Sequence, residues 1–189
     1  MPKSYLPDIP SLLLAIPRNP ITAIGIPVVF GMMSGSSTGK AVRGKWYKSL
    51  RFPPGRPPEV AFPFVWSTLY AGMGYASYIA VHNYDSLSSR SADRDRALIS
   101  TGLWLYYGQL ALNFSWSTLF FSKKKIGVAL IDSITLTSMS IYMTKLFHNA
   151  TDGATTWFLG PYCAWLLYAT YLQTGTWWLN RGRNIARED

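Results

Sequence analysis

The residues best equipped to hold a ligand are aromatic, and three sets of them recur at helical spacing. Gln109, Asn113, Trp116 and Phe120 advance by steps of four, three and four, which places them on one stripe of a helix. Tyr162, Trp165, Ala169, Leu172 and Thr176 form a second stripe, and Phe62, Trp66, Tyr70, Met73 and Ser77 a third. Rings on facing helices can enclose a flat, mostly apolar molecule between indole faces, with an amide such as Asn113 to orient it. The same pattern arises when tryptophans anchor helices at a membrane interface and amides tie neighbours together, so spacing alone leaves both readings open.

Other chemistry is thinly supplied. The 189 residues include one cysteine and two histidines, which excludes a disulfide scaffold and a cysteine-built zinc site. His82 and His148 flank apolar runs and read as ordinary end residues; Cys163 lies inside one and reads as buried and inert. Asp132 stands about two turns into another run, where a carboxylate serves either as a tie between helices or as a proton relay. A relay needs a second carboxylate to pass the proton to, and the runs contain none. No nucleophile–base pair, metal-ligand spacing or glycine-rich phosphate loop is present. The expectation is a non-enzyme with no cofactor and no metal.

The elements that must position the stripes are read from where charge is missing. Only 14% of the chain is charged, and four windows, 19–39, 60–84, 97–122 and 153–180, carry no charge at all. A fifth apolar stretch, 126–144, holds only Asp132. A helix crosses the hydrocarbon core with about 20 mainly apolar residues, so each window is long enough or nearly so. Strand alternation is absent, which excludes a membrane barrel. The predicted fold is therefore all-α: an integral membrane bundle of five transmembrane helices, with spans at about 20–39, 60–82, 97–121, 126–145 and 157–180. Residues 1–19, broken by four prolines and without a signal-peptide pattern, are expected as an extended or short surface segment. Residues 181–189 form a charged tail expected to fray.

With five spans the basic residues sort by side. Twelve fall on the first loop, third loop and C-terminus, and six on the other side. The positive-inside rule then puts the C-terminus and first loop in the cytosol, and the net charge of +9 reads as topology and contact with anionic lipid rather than nucleic-acid binding. In the first loop, Pro53-Pro54-Gly55-Arg56-Pro57-Pro58 cannot be helix and predicts a stiff, extended cap over the cytosolic end. Lys123-Lys124-Lys125 allows only a tight turn, so spans three and four should be antiparallel neighbours. Gly31, Gly35 and Gly39 permit close helix approach, within the monomer or across a dimer.

The ordered motifs carry a resemblance. Trp46-Tyr47-x-x-Leu50, Pro57-Pro58, Val65-Trp66-x-x-Leu69-Tyr70-x-x-Met73-Gly74, Gly108-Gln109-Leu110-Ala111-Leu112-Asn113-x-x-Trp116, Phe120-Phe121, Ala129-Leu130-x-Asp132 and Pro161-Tyr162-x-Ala164-Trp165-x-x-x-Ala169 stand in sequence. From about Gly31 to Asn180 the chain resembles the translocator protein family, also called TspO or the peripheral-type benzodiazepine receptor family. The resemblance implies five membrane helices, frequent homodimers, and a pocket for tetrapyrroles such as porphyrin or haem and for benzodiazepine-site drugs, with sterol an alternative ligand. It implies pocket residues at Trp66, Asn113, Trp116, Trp165, Ala169 and Leu172, which fall on the three stripes or continue them. It implies the mitochondrial outer membrane, or alternatively endoplasmic reticulum and secretory membranes.

Departures from the family pattern bear on the alternatives of a porphyrin-degrading membrane enzyme and of a lipid- or partner-binding scaffold. The family's loop tryptophan, tied to porphyrin handling, is Gly55, and a second pocket tryptophan of animal members is Val128. The proline before Val-Trp in the second span is displaced to Pro63, and bulky Trp104 stands at a family dimer contact. The tyrosine and basic residue of the animal sterol motif correspond to Thr174 and Trp178, which implies loss of high-affinity sterol binding there. Lys45-x-Tyr47-x-x-Leu50 matches a reversed sterol pattern of the loosest kind.

Overall fold

A computed structural model describes residues 9–36, 38–87 and 93–183. Five long elements correspond to the four uncharged windows and the fifth apolar stretch: α2 (Pro20–Ser36), α5 (Ala61–Ser86), α6 (Asp93–Ser117), α7 (Ile126–Ala150) and α8 (Thr156–Asn180), with short helices α1 (Ser11–Arg18), α3 (Thr38–Arg43) and α4 (Lys45–Lys48) between or before them. The last turn of the third stretch, Thr118–Ser122, widens into a π-turn. At 1.5 Å per residue, a 25-residue helix such as α6, α7 or α8 is roughly 38 Å long, more than the hydrocarbon core requires. By length and apolarity alone, two stretches qualify as membrane-crossing, Pro20–Arg43 and Ile126–Ala150. The other three are diluted by the tyrosines, glycines and amides that build the interior.

The long helices close a ring in the order α2, α5, α8, α7, α6, with α6 meeting α2 again. The neighbours α6 and α7 are joined by the Lys123–Lys125 turn, where Lys124 takes a left-handed φ of 53°. One core, running through Tyr70, Met73, Leu103, Tyr106, Phe147 and Tyr162, fills most of the ring. A second, under the first loop, gathers Trp46, Tyr47, Leu50, Phe120 and Ala129. Exposed Ile21, Val29, Phe30 and Met32 on α2, and Ile131 and Ile134 on α7, form the apolar outside.

Prolines inside helices remove amide donors, and at two of them a neighbouring element closes on the freed carbonyl. Pro17 in α1 has no hydrogen for the Leu13 carbonyl, which instead accepts the Tyr107 phenol of α6 at 2.6 Å. Pro27 in α2 likewise has none for Ala23, and the backbone of α5 closes on that carbonyl at Gly74. A Cβ at Gly74 would lie 2.2 Å from the Ala23 oxygen, so only glycine permits this approach. Gly31 faces the Tyr70 ring within the monomer, whereas Gly35 and Gly39 face open space.

Two regions differ from the sequence expectation. Within residues 1–19, expected as an extended or short surface segment, Ser11–Arg18 is a short helix, with Pro10 before its first turn and Leu14 and Pro17 buried against the bundle. It is pinned by Arg18, whose guanidinium meets both Asp85 oxygens at 2.8 Å. The first loop is free of helix only from Arg51 to Pro58, with a turn at Pro54-Gly55; its earlier part forms α3 and α4, held by Trp46 and Tyr47 packing on Phe120 and Phe121. Residues 1–8, the centre of the Ser-rich second loop (88–92) and the tail 184–189 lie outside the described residues.

Replacing Gly74 with Ala forces α2 and α5 apart at a backbone oxygen that cannot swing away. The expected loss is about 1–3 kcal/mol, read as a lower thermal midpoint in detergent, and Gly35→Ala serves as the unaffected comparison. The bonds from Arg18 hold the Asp85 carboxyl below its usual range. Its contribution is therefore full above the unfolded-state value and is lost as pH falls through the folded one. Acidification through that window should lower the midpoint of the wild type more than that of Asp85→Asn.

Candidate functional site

The aromatic stripes of α5, α6 and α8 face one another, and their polar members are joined by hydrogen bonds. The Tyr70 phenol on α5 donates to Asn113 Oδ1 on α6 at 2.5 Å. The Asn113 amide donates to the Tyr162 phenol on α8 at 3.1 Å, and that phenol donates to Gln109 Oε1 at 2.5 Å. Gln109, fully buried, ends the relay on the Met73 sulfur at 3.4 Å. Each phenol fits an amide because both face the dry interior at one depth, where neither finds water. Asn113 thus engages its carbonyl and its amino group with protein partners, keeping one lone pair and one hydrogen for anything else.

One helical turn from Tyr70, the rings spread apart. Trp66 packs on Tyr70 at 5.6 Å between centroids and meets Trp165 edge-on at 6.4 Å and 88°. Phe62 and Tyr168 flank Trp165 at 6.0 and 5.4 Å. Trp116, one turn beyond Asn113 on α6, lies flat on Phe120 at 5.0 Å and 8°, inside the second core under the loop. Of the six residues named from sequence, Trp66 and Trp165 are in direct contact, and Asn113 is linked to them through Tyr70. Trp116 belongs to the neighbouring ring cluster. Ala169 and Leu172 continue along α8 past Trp165, both half-buried.

The indole N–H groups of Trp116 and Trp165 are buried with no acceptor. A buried donor without a partner costs about 1–3 kcal/mol, so both are features to be explained; three oxygens, Ser100 Oγ, Asp132 Oδ2 and Ser140 Oγ, are likewise buried without a partner.

The first loop covers these rings along α8, and this part of the site was not foreseen residue by residue. Tyr168 donates to the Gly55 carbonyl at 2.5 Å and Tyr171 to the Pro54 carbonyl at 3.1 Å. Pro53 lies over Gly175, where a Cβ would come within 2.6 Å of the proline ring. At the end of α8, Asn180 holds Arg51 from both sides, accepting its amide at 3.0 Å and donating to its carbonyl at 2.8 Å. The available signal was two phenols, three residues apart on an apolar face, which require acceptors from somewhere.

The remaining candidates have structural partners. Asp132 Oδ1 lies 3.2 Å from Ser115 Oγ, a tie between α7 and α6, while its Oδ2 is buried without a partner. Cys163 is half-buried with Thr144 Oγ1 at 3.2 Å from its sulfur, and His148 Nδ1 is 2.7 Å from Thr156 Oγ1. Val128 is exposed at the start of α7. Among the described residues no group of three or more His, Cys, Asp or Glu is placed to hold a metal.

The model of the TspO/MBR family matches residues 23–179. The Bos taurus translocator protein is 32% identical over 169 residues, covering 88% of this chain and 95% of that protein. The Homo sapiens translocator protein is 31% identical over 169 residues, 89% and 95% of the two chains. The translocator protein homolog of Schizosaccharomyces pombe is 36% identical over 166 residues, 88% and 94%.

Removing the Tyr162 hydroxyl breaks two links of the relay at once. Two interhelical bonds at about 0.6 kcal/mol each, with a buried amide left short of a partner, set the expected loss for Tyr162→Phe at about 1–2 kcal/mol. Thermal unfolding in detergent measures it, and an Asn113→Ala background should absorb part of the effect because the two residues share a bond.

Proposed function

The chain belongs to the TspO/MBR family, and from that premise we propose that this integral membrane protein holds a flat, largely apolar ligand of the tetrapyrrole class beside Trp66, Trp116 and Trp165. The observation that carries the reading is the pair of buried indole N–H groups without acceptors. Indole faces supply stacking, and the two donors suit the carboxylates or ring nitrogens of a porphyrin or haem-like molecule. Asn113, Ala169 and Leu172 complete the wall: Asn113 through its unused hydrogen-bonding capacity, the other two as apolar surface along α8.

A carrier, scavenger or sensor fits this chemistry better than an enzyme. The relatives are named translocator proteins. The loop position tied by resemblance to porphyrin handling is Gly55, at a φ of 83°, a conformation that a tryptophan would strain to adopt. Porphyrin degradation is therefore the weaker alternative. Sterol is also the weaker ligand at the end of α8, since the Thr174 hydroxyl is spent on the Thr170 carbonyl at 2.7 Å. In the cell we place the protein in the mitochondrial outer membrane with its first loop and C-terminus cytosolic, and a homodimer is consistent with the apolar outer face of α2.

Protoporphyrin added to the purified protein should quench tryptophan fluorescence, and Trp165→Phe or Trp116→Phe should weaken binding by about tenfold, the value of one desolvated donor. Equal affinity for wild type and both variants, or no quenching at micromolar ligand, sinks the proposal. Loss of the porphyrin Soret band on illumination would favour degradation instead.

A further inference from the structure

We propose that the end of the bundle where the first loop meets the close of α8 carries a seat for the phosphate of an anionic phospholipid, built from Lys48, Arg51, Arg181 and Arg183. The paired bonds between Asn180 and Arg51 use only the main chain of Arg51, and its side chain is exposed. Arg183 is drawn into the same corner, its Nη1 lying 2.9 Å from Asn180 Oδ1 and 3.5 Å from the Ser49 carbonyl. Lys48 adjoins Ser49, and Arg181 adjoins Asn180; both are exposed. Main-chain and amide bonds thus bring Arg51 and Arg183 together at Asn180, with Lys48 and Arg181 next to the residues so held, and among the described residues no ion pair to a carboxylate is formed by any of the four. The nearby acid, Glu59, is taken by Arg56 at 2.9 Å.

Clustered cations held by neutral partners attract an anion, and the surroundings choose its kind. Trp178 is 55% exposed at the end of α8, and the Arg181 guanidinium stacks 3.2 Å over its ring. An exposed indole at the end of a membrane helix sits at the headgroup boundary, which puts the cation stacked on it at the height of lipid phosphates. A guanidinium fork matches phosphate oxygens two at a time. An acidic protein segment arriving from water would leave Trp178 unexplained. This surface is separate from the ring site beside Trp66 and Trp165, and its lipid is a resident of the leaflet that this end faces.

Delipidated full-length protein in non-ionic detergent, titrated with phosphatidate or with phosphatidylcholine of the same acyl chains, tests the proposal. Native mass spectrometry reads lipid retention, and thermal unfolding reads stabilisation. Phosphatidate should be retained at least about tenfold in preference. Lys48→Gln/Arg51→Gln/Arg181→Gln should reduce that preference to about twofold, while Arg94→Gln at the start of α6 leaves it intact. If the triple variant does not fold, Arg51→Gln alone, which preserves the main-chain bonds to Asn180, should lower the preference about threefold. Equal retention of both lipids overturns the proposal, as does full preference in the variants. Equal stabilisation by inorganic phosphate would indicate a soluble anion, and binding of a poly-glutamate peptide without phosphatidate preference would indicate an acidic protein; either result also overturns it.

Discussion

A bundle in hydrocarbon has no water to complete its hydrogen bonds, and the internal organisation of this protein follows from that constraint. The interior phenols and amides form a closed sequence from Tyr70 through Asn113 and Tyr162 to Gln109 that ties three helices at one level. The carbonyl freed by Pro17 accepts the Tyr107 phenol, and the one freed by Pro27 has the bare backbone of Gly74 packed against it. Hydroxyls such as Thr135, Thr144 and Thr174 turn back onto their own helices, and Thr137 and Thr170 meet each other at 2.9 Å. Each such bond contributes little net free energy in a membrane, about 0.6 kcal/mol on average. Their effect is to select one arrangement, because every alternative leaves a polar group bare.

Against that background, the indoles of Trp116 and Trp165 stand out. Among the described residues they are the two buried side-chain N–H groups without an acceptor; the other buried unpartnered atoms, Ser100 Oγ, Asp132 Oδ2 and Ser140 Oγ, are oxygens. They flank the level at which the relay sits, Trp165 one turn along α8 from Tyr162 and Trp116 one turn along α6 from Asn113. In the proposed site the relay, already satisfied, is therefore the floor, and the indoles are the walls. This division explains why an amide that the stripe pattern offers to a ligand is largely engaged by the protein: Asn113 holds the walls at their spacing.

The sequence made much of this legible, for reasons that also mark where legibility ends. Gaps in charge revealed five long helices to within a few residues, since a charge inside a span is expensive and a charge at its end is not. The stripes predicted which faces of α5, α6 and α8 point inward. Periodicity does not say which polar side chain on one face meets which on another, so the pairing of Asn113 with two phenols appeared only in the fold. The short helices α1, α3 and α4 were missed because eight, six and four residues carry too little pattern. α4 exists because Trp46 and Tyr47 bury against Phe120 and Phe121, partners about seventy positions away.

The first loop shows why residues that forbid regular structure can be structurally necessary. It must descend α8 from Asn180 to Tyr168, a rise of roughly 18 Å, using only Arg51 to Gly55. Four further residues in a helix would advance about 6 Å; fully extended they reach about 14 Å. The phenols of Tyr171 and Tyr168 reach out to meet the loop and make up the difference. Pro53 and Pro54 exclude the helical option, and Gly55 supplies the positive φ that turns the chain away once the depth is gained. A tryptophan at position 55 would need another backbone path, so the glycine there is a property of the whole loop and not a local substitution. The loop that covers the ring site is thereby anchored at Arg51, beside the basic corner, and one extended segment joins the headgroup end of the bundle to the level of its indoles.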